Sequence, residues 1–235
     1  MRNVHRAWIP ILTAAAIALS IEGMTFPTIG QGVADQPTKS ALETDPKGWK
    51  DILPNKNLEG WHRVPVPPGS KLSPRNPWRV DEAQRILICD GVGIHENLQY
   101  QRELGDFIFH VEWRFASAEG KKGYNSGVYV RNSPDGEIWH QAQVGDRNVG
   151  FVFGDTLIGG KKMRIRVGET KPQRGKPPGE WNVYEITCRG KEVILWINGY
   201  VTAHWKECEV LRGEIGLEAE GWYIEFRNLQ LKELL

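Results

Sequence analysis

The sequence predicts an all-β fold, an antiparallel sandwich of two sheets, on three observations. Short runs alternate apolar and polar residues with period two, the pattern of half-buried strands. Asp90-Gly91, Pro134-Asp135-Gly136 and Asn198-Gly199 fall between such runs and carry the turn chemistry that reverses a chain. No long helical periodicity follows residue 47, and the spacing of the runs suits a sandwich.

The 235 residues suit one globular domain with an appendage. Net charge is +1, and Arg2, Arg6 and Glu22 of the leader account for that +1, so the remainder is neutral. A neutral body offers no basic field for nucleic acid or anionic lipid, and neither is expected as a partner. Ten Trp is a high count, and Trp serves both cores and sugar-stacking surfaces.

In chain order, Arg2, His5 and Arg6 precede an apolar run over residues 7–21, the pattern of an export signal. The run is too short and too weakly apolar for a membrane span, so none is expected in the mature chain. Residues 1–34 are therefore assigned to a leader, with small residues Gly32-Val33-Ala34 at its end, and the protein to the periplasm or the exterior. The segment 35–47 is polar, contains Pro37 and Pro46, and reads as a linker to a sandwich over 48–235.

Strands are expected at 49–53, 58–61, 78–81 and 85–91, with a Pro-rich loop over 65–77. In 107–115, Phe107, Phe109, Val111, Trp113 and Phe115 share one face; Ile108, His110, Glu112 and Arg114 share the other. Two strands then meet across the Pro134-Asp135-Gly136 turn. Val128, Val130, Ala142 and Val144 form their apolar face, and His140 falls on it by parity as a core histidine. Tyr129, Arg131, Trp139, Gln141 and Gln143 form the other face, suited to a polar, ring-shaped ligand. Asp146 follows Gly145 at the end of the second strand.

The basic segment 159–180, which includes Arg164, is either a solvated surface or a flap over a site mouth. Strands follow at 181–188, 193–197 and 200–205, with Asn198-Gly199 as a hairpin turn. Ile215, Leu217 and Ala219 point inward, which puts Glu218 and Glu220 together on the outward face. In 224–231 the apolar parity flips between Phe226 and Leu229, which predicts a bulge near Arg227 and Asn228. Of three cysteines at least one must be free; Cys188 and Cys208 either pair across the hairpin or stay buried thiols like Cys89. Their spacing matches no zinc motif, and no cofactor is predicted, although dispersed Asp, Glu and His leave a divalent metal possible.

Several stretches in shared order resemble the 3-keto-disaccharide hydrolase family. They are Asp106-Phe107 with Glu112-Trp113-Arg114, the run from Asn125 to Arg131, and Gly179-Glu180-Trp181-Asn182. Trp196-Ile197-Asn198-Gly199, Ile215-Gly216-Leu217 and Phe226-Arg227-Asn228-Leu229 complete the set. The resemblance implies a concanavalin A-like jelly-roll sandwich and an exported enzyme that cleaves 3-keto-glycosides. It also implies a Glu where this chain has Gln141, and a late His where this chain has Glu218 and Glu220.

Two carboxyl groups flanking the bond are the usual equipment of a glycosidase, and two glutamines cannot replace them. A 3-keto sugar needs less. Its carbonyl acidifies the C2 hydrogen, so one base can remove it, the C1 group leaves, and water adds to the enone. Candidate bases are Glu218, Glu220, Glu112 and Asp146, and Arg131 is the candidate donor to the developing oxyanion. Gln141 and Gln143 would orient hydroxyls, with Tyr129 or Trp139 stacked on the pyranose. The alternatives are a noncatalytic carbohydrate-binding module and a structural domain that recruits a protein.

Overall fold

The computed structural model describes residues 36–116 and 122–234; the expected leader lies outside them. A short helix, α1 (Ala41–Thr44), precedes fifteen strands among the described residues. They are β1 (Lys50–Asp51), β2 (Trp61–Pro65), β3 (Trp78–Asp81), β4 (Ile86–Cys89), β5 (His95–Tyr100), β6 (Phe107–Phe115), β7 (Asn125–Asn132) and β8 (Trp139–Gly145). Then follow β9 (Val152–Ile158), β10 (Lys161–Val167), β11 (Asn182–Arg189), β12 (Glu192–Ile197), β13 (Tyr200–Trp205), β14 (Glu214–Glu220) and β15 (Ile224–Glu233).

They form two antiparallel sheets, a jelly-roll sandwich. The first has the order β13-β12-β11-β6-β15-β4-β3, with β1 beside β15; the second runs β10-β9-β8-β7-β14-β5-β2. The core lies between them and follows from alternation. The five inward apolar residues of β6 are at most 1% exposed, and they meet the inward residues of β7, β8 and β14. Each such side chain contributes roughly 1.5–3 kcal/mol by leaving water, which fixes the register of the central strands.

Local chemistry explains the irregularities. Asn198 and Gly199 both have positive φ, 46° and 106°, as a two-residue hairpin turn between β12 and β13 requires. On β15 the register against β6 shifts between Arg227 and Gln230, with Asn228 at φ 50°, so the bulge sits where parity flips. His140 is fully buried between the Val130 carbonyl (3.1 Å) and Thr156 Oγ1 (2.9 Å), and burial lowers its pKa to about 4.

Two expectations change. Cys188 and Cys208 form no disulfide: all three cysteines are free and buried, and Cys208 Sγ donates to the Val210 carbonyl at 3.2 Å. The stretch read as a linker is docked from Thr38 onward. Thr38 N–H donates to the Gly199 carbonyl at 2.7 Å, and Glu185 accepts from the first N–H groups of α1, Ala41 and Leu42. A carboxylate at a helix start is a strong acceptor, and composition could not show that one waits there.

Candidate active site

The face of the second sheet turned away from the core carries a cavity of about 450 Å³. Its floor comes from β5, β14, β7, β8 and β9, and its rim from residues 65–68, Gly136 and Arg164 on β10. Register assembles one end. Glu218 lies opposite Asn97, and Glu220 opposite His95, so outward residues of β14 and β5 form two adjoining rows.

Glu218 is only 3% exposed, yet it is held by three groups. Tyr129 Oη donates to Oε1 at 2.7 Å, His95 Nε2 lies 3.1 Å from the same oxygen, and Gln141 Nε2 donates to Oε2 at 3.0 Å. Such charge-assisted bonds offset the cost of burying a carboxylate. Gln141 reaches it because Gly127 lies beneath: a Cβ there would stand 2.4 Å from the Gln141 carboxamide. Gln143 Nε2 donates to Asn125 Oδ1 at 2.6 Å, and Asn125 Nδ2 in turn donates to Glu220.

The electrostatics divide the roles. The bond to Glu218 raises the pKa of His95, which favours imidazolium. Burial, and then the charge of Glu218, raises that of Glu220. Burial and then Glu218 hold Tyr129 well above the usual phenol range, so it stays protonated. His95, Glu218 and Glu220 also offer ligand atoms all within 4.8 Å of one another. That spacing suits a divalent ion with bonds of about 2.0–2.2 Å, and the buried Asn97 Oδ1 of the same cavity lacks a partner.

The other end is aromatic. Trp139 meets Phe153 edge to face at 5.2 Å and Tyr129 at 5.9 Å. Arg164 covers the Trp139 ring, 4.9 Å from its centroid, and is paired with Asp155. Residues 65–68 close the rim above β5, where Val66 N–H donates to the His95 carbonyl at 3.2 Å.

Of the residues expected from sequence, Tyr129, Trp139, Gln141, Gln143, Glu218 and Glu220 line this cavity. Arg131, Glu112 and Asp146 do not. Between Glu214 and Gly216 the register with β7 shifts, and Arg131 takes φ 52°, so its side chain leaves the face of Tyr129. It is wholly buried and donates to the carbonyls of Gly190 (2.8 Å), Val210 (3.3 Å) and Gly105 (3.3 Å) and to Asp106 (3.3 Å). Glu112 belongs to the other sheet, where Arg227 (2.7 Å) and Asn228 (3.1 Å) hold it. Asp146 sits past the end of β8, outside the cavity lining. His95, Asn97, Asn125, Phe153 and Asp155 join the site without having been expected. Arg164 had a signal as part of the basic segment, and Asn125 as the first residue of a run that carries the resemblance.

A jelly roll with a groove of carboxylates, amides and aromatic rings is the frame of a carbohydrate-active protein. The comparisons sharpen this: the chain belongs to the 3-keto-α-glucoside-1,2-lyase-like domain family, whose profile matches residues 48–232. No curated protein sequence matches it. Among solved structures it is similar to a proposed glycosyl hydrolase from Parabacteroides distasonis, with 18% identity and a TM-score of 0.56 over 85% of this chain and 100% of that one. It is also similar to carbohydrate-binding module CBM66 from Bacillus subtilis, with 12% identity and a TM-score of 0.54 over 74% of this chain and 96% of that one. At these identities the likeness is one of fold.

Proposed function

We propose that this chain is an exported enzyme that cleaves 3-keto-glycosides by elimination at C1–C2, followed by hydration of the enone. The observation that carries the reading is a site with one available base. Glu218 is buried and held by Tyr129, His95 and Gln141, while Glu220, from the same wall, keeps a raised pKa and partial exposure. Asp155, the carboxylate across the cavity, is paired with Arg164 and lies three strands from β14. At about 4.8 Å per strand that is roughly 14 Å, beyond the ~5–9.5 Å that separates the two carboxyl groups of glycosidases.

Glu220 takes the C2 proton, and the electrons of that C–H bond flow into the C3 carbonyl, leaving an enolate. Imidazolium His95, oriented by Glu218, stabilises that oxygen or protonates the departing C1 oxygen. The C1–O bond breaks as the enolate collapses to an enone conjugated between C1 and C2. Water then adds its hydroxyl to C1 and a proton to C2. Glu218 is thus a positioning residue, and the Gln141 carbonyl oxygen accepts from a sugar hydroxyl. Export rests on the basic and apolar pattern of residues 1–34.

Incubation with 3-keto-glucosides, with and without a chelator, tests the reading. Release of the aglycone, abolished by Glu220→Gln with little change in KM, supports it. The second reading, a binding module, is favoured by Gln141, an amide where the family resemblance implies an acid. Saturable sugar binding without turnover of any 3-keto-glucoside would establish it instead.

A further inference from the structure

We infer that the aromatic end of the cavity is a subsite for an uncharged aromatic aglycone, so that the preferred substrates are aryl 3-keto-glycosides, not disaccharides. This rests on the elimination reading, and it concerns the part of the site that does no chemistry. Glu220 and His95 fix where C1 and C2 must lie, over β14 and β5. The cavity continues from there across β7 to β8 and β9, and the leaving group is placed along it. There the floor is Trp139 and Phe153, set edge to face at 5.2 Å and 85°. A third aromatic ring gains most from packing offset or edge to face against such a pair.

A second sugar would need several donors and acceptors for its hydroxyls, and this end offers few, the Gln141 Oε1 among them. The Nε2 groups of Gln141 and Gln143 already donate to Glu218 and Asn125. Asp155 and Arg164 bind each other. Their pairing also cancels the local charge, which removes any preference for an acidic aglycone. Gly136 brings the β7–β8 turn against the same rim, since a Cβ there would stand 3.1 Å from Val64 and 3.8 Å from Pro68. Two aromatic rings and one self-compensated ion pair line the space.

The experiment compares phenyl, methyl and glucosyl 3-keto-glucosides on the wild-type chain, Phe153→Leu and Trp139→Ala. The ratio of wild-type to variant kcat/KM is taken for each substrate, which cancels intrinsic leaving-group differences. The expected ratio is about tenfold or more for phenyl, the size of one lost aromatic contact with its burial, and under about threefold for methyl and glucosyl. Equal ratios for all three, or a larger one for glucosyl, overturn the subsite. Calorimetry with phenyl and methyl glucosides on the wild-type chain decides the matter without turnover. Tighter phenyl binding, lost in Phe153→Leu, supports the subsite even if no keto sugar is cleaved and the elimination reading falls; equal binding overturns it.

Discussion

Gly127 lies beneath the Gln141 carboxamide, and replacing it tests the geometry most directly. In Gly127→Ala the new methyl carbon would stand 2.4 Å from Cδ and Nε2 of Gln141 and 2.5 Å from its Cγ. Carbon contacts normally lie at about 3.5–4.0 Å, so the carboxamide must move by more than an ångström. Its bonds to Glu218 (3.0 Å), the Ser126 carbonyl (3.2 Å) and Gln143 (3.3 Å) cannot all survive that shift. The φ of Gly127 lies outside the left-handed region, so backbone strain adds nothing. Losing a bond to a buried carboxylate costs about 1.5–3 kcal/mol and a neutral one about 1, which sums to about 3 kcal/mol. For a chain of this size that lowers the thermal midpoint by roughly 6–12 °C. The assay is thermal unfolding of Gly127→Ala, Gln141→Ala and the double variant. Once Gln141 is truncated the methyl has room, so the second substitution should be nearly neutral. An equal loss in both backgrounds would refute the idea that Gly127 exists to seat Gln141.

Arg131→Ala should destabilise the fold by about 3 kcal/mol, through four lost donor contacts, and leave turnover per folded molecule within about twofold of wild type. Parallel loss of turnover in the folded fraction would return Arg131 to the site. Buried His140 has its pKa lowered to about 4, so the unfolded chain binds its proton first. Its contribution is fully present above about pH 6.5 and is lost as pH falls through 4, about 3 kcal/mol in all. Urea midpoints against pH should show that slope, and His140→Gln should flatten it; identical slopes would contradict the assignment.

Much of this was legible because alternation is a local property. The inward valines of β7 and the outward Glu218 and Glu220 follow from period two alone. Arg131 was not legible, because a bulge adds one residue and flips every side chain beyond it, and nothing in the run from Asn125 to Asn132 marks the spot. Glu112 shows a different limit. Parity correctly turned it away from the core, but parity does not say which sheet a strand joins, and β6 lies in the sheet opposite the cavity. His95 and Asn97 were hidden by their neighbour. An inward position of β5 holds Glu96, buried against Arg63 at 2.6 Å and Trp78 Nε1 at 3.1 Å. A charged residue in a core position breaks the pattern by which a strand is recognised, because its partners come from elsewhere in the chain.

The two departures from the family pattern become one once their side chains meet. Gln141 lies 3.0 Å from Glu218, so a Glu at 141 would set two carboxylates side by side in a place that excludes water. Two unit charges at that distance repel by about 5 kcal/mol at an effective dielectric of 20, and one would have to keep a proton. The Gln141–Glu218 contact therefore has room for one carboxylate, and in this chain it is on β14. Gln141→Glu alone should therefore be destabilised near neutrality and should gain stability on acidification, opposite in sign to the His140 effect. Adding Glu218→Gln should restore most of the loss, because the donor and acceptor then simply trade places. Unfolding midpoints of the two single variants and the double, taken at pH 5 and pH 8, measure the coupling. A double variant no more stable than Gln141→Glu at pH 8 would mean that the two positions do not share one charge.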